Sequence, residues 1–284
     1  MPQDPVPNFG SQKMNTDRGL IVHADDFGET DEITRGISAG LEARVITSTT
    51  IMANMPGTQF ALREVRRFDD SISFGLHLNL CEGFPLTHCP TLTGSDGAFR
   101  PKRQLALRAL AGMLSPQELD REVQAQAGLL ADAGVRMSHI DGHKHLHQLP
   151  AVRHAVVHAA RRFSLERVRR SLAGPAARRG GPATLAREVL AWRAGRLFAQ
   201  NRLRYPARLV NLTELERAKD PGRGAALLAE GQVIEVFCHP GTERADVEKP
   251  GSCDRSAELR FLLSERWREL LKLSGRKAVN YWQV

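Results

Sequence analysis

Residues 137 to 147 read Met-Ser-His-Ile-Asp-Gly-His-Lys-His-Leu-His, so His139, Asp141, His143, His145 and His147 fall at every second position. In extended backbone that spacing places all five side chains on one face of a strand. Imidazoles and a carboxylate converging on one spot form the ligand set of a divalent metal, and burying them without such a partner leaves polar groups unsatisfied. An exposed histidine-rich hairpin is the bland alternative, but a solvated loop has no reason to keep a period of two.

Other residues able to join this chemistry lie far off in sequence. The apolar run Gly19-Leu20-Ile21-Val22-His23-Ala24 ends in Asp25-Asp26-Phe27-Gly28, which reads as a buried strand delivering carboxylates at its C-terminal end. Residues 72 to 80 alternate as a strand carrying His77 and Asn79 on one face, and residues 232 to 238 form a strand that ends in His239-Pro240-Gly241. An Asp and two His from three strand ends leave open coordination positions, as a catalytic site requires, whereas a structural zinc site uses four protein ligands, usually with Cys. Asp26, His77 and His143 are the strongest such set. Consecutive strand side chains diverge, so Asp26 can bind metal while Asp25 stays free to take a proton from water. A protonated His239 at the same rim can donate to a leaving group. Asp141, His145, His147 and Asn79 are expected to contact substrate or to orient the ligands, with His139 beside them, and His154 and His158 to be structural or exposed.

The elements that must position these residues alternate. Strands are expected near 19–28, 45–52, 72–80, 137–147, 232–238 and 278–281, and helices near 29–44, 57–67, 102–114, 116–133, 150–163, 183–198, 222–230 and 256–273. Thr30 or Asp31 suits the first helix as N-cap, and Ser115 followed by Pro116 suits the fourth helix, 116–133. The loop 81–100 is long enough to be a lid or a binding loop. Alternating strands and helices imply a parallel sheet, and the candidate residues cluster at strand C-termini, so the expected fold is an α/β (βα) barrel of roughly seven or eight parallel strands with outer helices. An open doubly wound sheet is the alternative, but it calls for a glycine-rich phosphate turn where this chain has an acidic one.

Composition sets the bounds. With 284 residues, 42% hydrophobic and 25% charged, the chain suits a single globular domain over 19–284 behind a disordered lead-in, 1–18. Cys81, Cys89, Cys238 and Cys253 form no C-x-x-C pair, and the start of the chain shows no apolar signal region, so a reduced, cytoplasmic setting is the expectation. The net charge of +8 concentrates in an arginine-rich stretch, 161–208. Few aromatics interleave it, so a solvated basic face, or attraction to an anionic substrate or membrane surface, is favoured over sequence-specific nucleic-acid binding.

The segments LIVHADDFG, ITSTT, FGLHLN, HIDGHKHLH and VFCHPG, in this order with the closing VNYWQV, resemble the YdjC-like (ChbG/HpnK) carbohydrate deacetylase family, metal-dependent enzymes on a (βα) barrel related to the polysaccharide deacetylases. The resemblance implies Asp25 as catalytic base, Asp26, His77 and His143 as ligands of one divalent ion, magnesium or zinc, and His239 as acid. It also implies an N-acetylated sugar as substrate, with acetate and a free amino sugar as products, and is compatible with a homodimer. His23 stands where many relatives have Asn, and residues 171–205 match nothing in the family pattern. Two other readings of the same residues stay open: a metal-dependent phosphoesterase or other amidohydrolase on this barrel, and a basic protein that binds anionic surfaces or nucleic acid.

Overall fold

Nine consecutive buried residues, Gly19–Phe27, form β1, the strand about which the sheet is laid. The structure is a computed structural model that describes residues 18–172, 181–242 and 254–284; Cys253 and most of the lead-in lie outside them. The elements then run α1 (Asp31–Glu42), β2 (Ser48–Ile51), α2 (Thr58–Val65), β3 (Ser73–Leu78), α3 (Lys102–Leu110), α4 (Pro116–Asp132) and β4 (Met137–Gly142). A 3-10 segment, His143–Gln148, leads into α5 (Pro150–Arg162), α6 (Pro182–Gln200), β5 (Arg208–Asn211), α7 (Leu212–Arg217) and α8 (Pro221–Leu227). Then come β6 (Val233–Cys238), α9 (Arg255–Leu263), α10 (Glu265–Ser274), β7 (Lys277–Ala278) and a closing 3-10 turn, Tyr281–Gln283.

All pairings are parallel, in the order β4-β3-β2-β1-β6-β5, with β7 on the start of β1. From β1 to β4 each strand neighbours its predecessor along the chain, β6 neighbours β5, and β6 returns to β1; that succession lacks the reversal at a switch point that marks a doubly wound sheet. Among the described residues no continuous ladder joins β4 to β5. The gap holds the segment 166–172, which makes isolated bridges, Ile140 with Val168 and Arg167 with Arg204, and whose Leu172 carbonyl accepts from Leu209 N.

The expected caps are present: Thr30 accepts from Ile33 N, and Ser115 accepts from Glu118 N with Pro116 behind it. Helix faces then bury Ile37, Leu41, Leu119, Val123, Leu130, Val152 and Val156 against the strands, each buried branched side chain contributing about 1.5–3 kcal/mol.

Several expectations need correction. The single helix over 256–273 is two, because Ser264 takes an extended conformation and its hydroxyl caps α10 by accepting from Trp267 N. Tyr281 belongs to a 3-10 turn rather than to a closing strand, and the sequence reading passed over β5 and α7. The alternation of the histidine stretch is not a strand beyond Gly142: Lys144 and His145 adopt left-handed backbone, φ 53° and 61°, and wind the chain into a turn.

Candidate functional site

At the end of β1 the register against β2 slips between Ala24 and Phe27, and Asp26 sits at φ 70°. A regular strand sends Asp25 and Asp26 to opposite sides. The bulge and left-handed turn, which cost a non-glycine residue about 1–2 kcal/mol, bring both carboxylates to the buried interior at the strand ends. Gly28, at φ 91°, completes the turn; a Cβ there would lie 3.2 Å from the Met52 carbonyl oxygen.

Asp26, His77 and His143 meet at one point. Asp26 Oδ1 is 2.9 Å from His143 Nδ1 and 3.2 Å from His77 Nε2, and the two ring nitrogens are 3.3 Å apart. The outer nitrogens face carboxylates: His77 Nδ1 is 2.8 Å from Asp141 Oδ1, and His143 Nε2 is 3.3 Å from Glu82 Oε1. An ionised carboxylate only accepts, so each outer nitrogen donates to the carboxylate behind it, and the inner nitrogens, which face the Asp26 oxygen, would turn lone pairs to a divalent cation standing in place of their protons. Three acceptors facing one point fit a divalent cation, with Asp141 and Glu82 orienting the imidazoles from behind. Arg255 Nη2 takes the other Asp26 oxygen at 2.8 Å and reaches Glu29 at 2.7 Å, while Lys144 pairs with Glu82.

Asp25 is not free, contrary to the sequence expectation. The wholly buried Arg169 grips both its oxygens, Nη1 to Oδ2 at 2.9 Å and Nη2 to Oδ1 at 2.7 Å, and also contacts Glu235 Oε1 at 2.7 Å and Asp141 Oδ2 at 2.8 Å. Burial pushes the Asp25 carboxyl up, but the Arg169 guanidinium overrides it and holds the group at about 2. His23 bonds Ser48 and Thr50 through its two ring nitrogens; burial, then the Arg169 charge, push it down to about 3, so it is a neutral polar spacer.

Two further clusters have metal-ligand spacing, His23-His139-Asp141 and Asp25-His77-Asp141. A guanidinium already neutralises both: Arg169 touches Asp141 in the first and Asp25 and Asp141 in the second.

The remaining candidates are distributed around this centre. His239 Nε2 is 3.9 Å from Asp25 Oδ2, and its backbone N–H donates to the buried Glu258. His145 lies beside Ser171, with its ring edge-on to Phe237, and His147 donates from Nε2 to the Arg169 carbonyl. Burial pushes His145 down to about 3 and His147 to about 4. His139 stacks on Tyr281 at 3.5 Å, behind the site. Asn79 does not share a ligand face with His77: it lies past β3, accepts from Cys81 N and Glu82 N, and donates to the Glu82 carbonyl, shaping the loop that carries Glu82. The exposed His158 pairs with the part-buried Asp120 on the helix surface.

Arg169, Glu235, Glu82, Thr50 and Arg255 escaped the sequence reading. Glu235 had a signal, as the one charge inside the apolar run of β6; Arg169 was hidden among its arginine neighbours.

Fold and donor set together define an α/β protein whose polar site lies at the C-terminal ends of parallel strands. The chain belongs to the YdjC-like protein family, whose profile matches residues 19–273. It is similar to a carbohydrate deacetylase of Brevibacillus brevis, 35% identical over 145 residues, which is 51% of this chain and 56% of that one. It is also similar to one of Vibrio cholerae, 28% identical over 254 residues, 89% and 90% of the two chains. The first such matches span only 56%, 61% and 58% of the relatives' own length. A crystal structure from Enterococcus faecalis, of a protein assigned provisionally to cellobiose-phosphate cleavage, superposes with a TM-score of 0.75 at 23% identity, covering 94% of this chain and 98% of that one. That likeness supports the fold.

Proposed function

We propose that the protein is a metal-dependent hydrolase that removes the N-acetyl group from an N-acetylated sugar or oligosaccharide, releasing acetate and a free amino sugar. The observation that carries this reading is the convergence of Asp26 Oδ1, His77 Nε2 and His143 Nδ1, each ring held from behind by a carboxylate. The family match and the relatives called carbohydrate deacetylase support the substrate class. Asp26, His77 and His143 would hold one divalent ion, magnesium or zinc. Such an ion supplies polarisation of the amide carbonyl and a water acidified toward neutral pH.

The chain's own residues supply the rest. Asp25 presents a carboxylate ionised at neutral pH and aligned by Arg169, whose remaining lone pairs receive the proton of the attacking water. His239, near the opposite oxygen of Asp25, holds a proton at Nε2 for the departing amine. His145 lies on the same side beside Phe237, where a neutral imidazole can hydrogen-bond a sugar hydroxyl. A two-metal phosphoesterase is disfavoured because Arg169 already supplies the second positive charge.

Acetate release from N-acetylglucosamine oligomers with added divalent metal tests the reading. No acetate from any N-acetylated glycan across several metals would remove it. Asp25→Asn is expected to keep metal, measured by equilibrium dialysis, and lose turnover, whereas Asp26→Asn loses metal; the opposite pattern reverses the two roles.

A further inference from the structure

The arginine-rich stretch largely dissolves into internal work. Arg161 bonds Asn201, Arg162 bonds Gln124, Arg167 holds the Trp282 and Val284 carbonyls, and Arg170 stacks on Tyr205. On α6, however, Arg193 and Arg196 stay exposed beside Leu185, Val189 and Trp192, which are 63%, 43% and 51% exposed, and Arg187 is exposed nearer the helix's start. These three apolar positions follow i, i+4, i+7 spacing, a stripe opposite the buried Ala191, Ala194 and Phe198. α3 repeats the arrangement, with Leu107, Leu110 and, just beyond its end, Met113 all more than half exposed, and Lys102 and Arg103 exposed at its start.

Of the ten large apolar side chains exposed among the described residues, six lie on these two helices or at their end. Both helices pack against α5 and against the 143–148 turn that carries His143. Lys102 lies within electrostatic reach of both Arg187 on α6 and Lys144 at the rim of the site. Two more exposed apolar residues, Phe84 and Leu86, extend from the loop that carries Glu82. Glu188 is the one acid on α3 and α6.

We infer that α3 and α6, which flank the turn carrying His143, form a docking face for an anionic lipid bilayer. Scattered exposed apolar residues need no explanation, but an apolar stripe bordered by cations, on helices too polar to insert across a bilayer, matches interfacial binding. Each lysine or arginine near an anionic surface adds attraction that falls off within a Debye length. A bilayer also explains why the cations outnumber acids here, which a second copy of this face would repel. The inference does not depend on the deacetylase reading.

Flotation of the full chain with phosphatidylcholine vesicles, with and without phosphatidylglycerol, provides the test. Binding is expected to be at least about tenfold greater with the anionic lipid and to fall with added salt. Trp192 fluorescence should shift to the blue on binding, while the buried Trp267 does not respond. Leu107→Ser/Leu110→Ser/Trp192→Ser is expected to abolish flotation, and the charge reversal Arg193→Glu/Arg196→Glu to weaken it at unchanged melting temperature. Equal flotation on both vesicles, none at low salt, or unchanged flotation by the charge-reversed protein overturns the inference. A solution dimer that the triple substitution splits also overturns it and assigns the face to a second copy.

Discussion

Replacing Arg169 by Met removes the one cation among Asp25, Asp141 and Glu235 while keeping a side chain of similar length. Arg169 is fully buried, and breaking a buried ion pair from one side costs about 3–5 kcal/mol. The lowering of Asp25 from 3.8 to about 2 accounts for on the order of 2–3 kcal/mol of this at neutral pH. In the native protein the depressed Asp25 stabilises the fold above its unfolded value, and the contribution is lost as pH falls toward about 2. In the variant, burial, which pushes Asp25 and Glu235 up, is opposed only by the weaker pull of His77 on Asp25 and of the Tyr281 hydroxyl on Glu235. A carboxyl whose folded value is raised destabilises at neutral pH and ceases to do so as pH falls through that raised value. Between pH 8 and pH 5 the native Asp25 contribution is constant, so the second trend narrows the gap there, and His23, which the Arg169 charge also holds down, is less depressed in the variant and narrows it in the same sense. Urea unfolding of both at pH 8 and pH 5 reads the gap. A gap that is constant across that range, or under about 1 kcal/mol at pH 8, refutes the ion-pair account.

Glu122, wholly buried, accepts from Leu86 N, Thr87 N, Thr87 Oγ1 and Gln126 Nε2, so Glu122→Ala should release the 79–101 loop, cost about 2–4 kcal/mol, and open Arg100 or Arg103 to trypsin in limited digestion. Tyr281→Phe removes the 2.7 Å hydrogen bond to Glu235 but keeps the ring on His139; a loss of about 1–3 kcal/mol in urea unfolding is expected, and no loss would show that Glu235 finds another donor. Gly75→Ala should fail to accumulate as folded protein, measured by soluble yield, because its Cβ would lie 2.5 Å from the His139 carbonyl oxygen, between two paired strands.

The strand-helix alternation and the residues at strand ends were legible because apolar periodicity and buried polar side chains are local signals. Asp26, His77 and His143 could be nominated from type and position, since a polar residue closing an apolar strand has few structural uses. What resisted was anything set by backbone irregularity or by distant partners. The period of two at 139–147 promised a strand, yet the left-handed Lys144 and His145 turn it aside after Gly142. β5 was missed because its four residues lie in a polar, arginine-rich context and are defined by pairing with β6. Arg169 could not be singled out, since its burial depends on three carboxylates that lie 28 to 144 residues away in sequence.

The left-handed Asp26 bears on how such a site could be transplanted. An Asp-Asp pair copied onto the first strand of another parallel sheet would send one carboxylate outward, so the unit to graft is larger than the pair. It comprises the bulge through Phe27, whose carbonyl accepts from Met52 N, the Gly28 turn with its N–H on Thr34, and the Glu29 N–H that closes onto the Asp26 carbonyl. A designer who moves Asp25 to Thr34 as one cassette carries the geometry, and one who moves only the acids carries its composition.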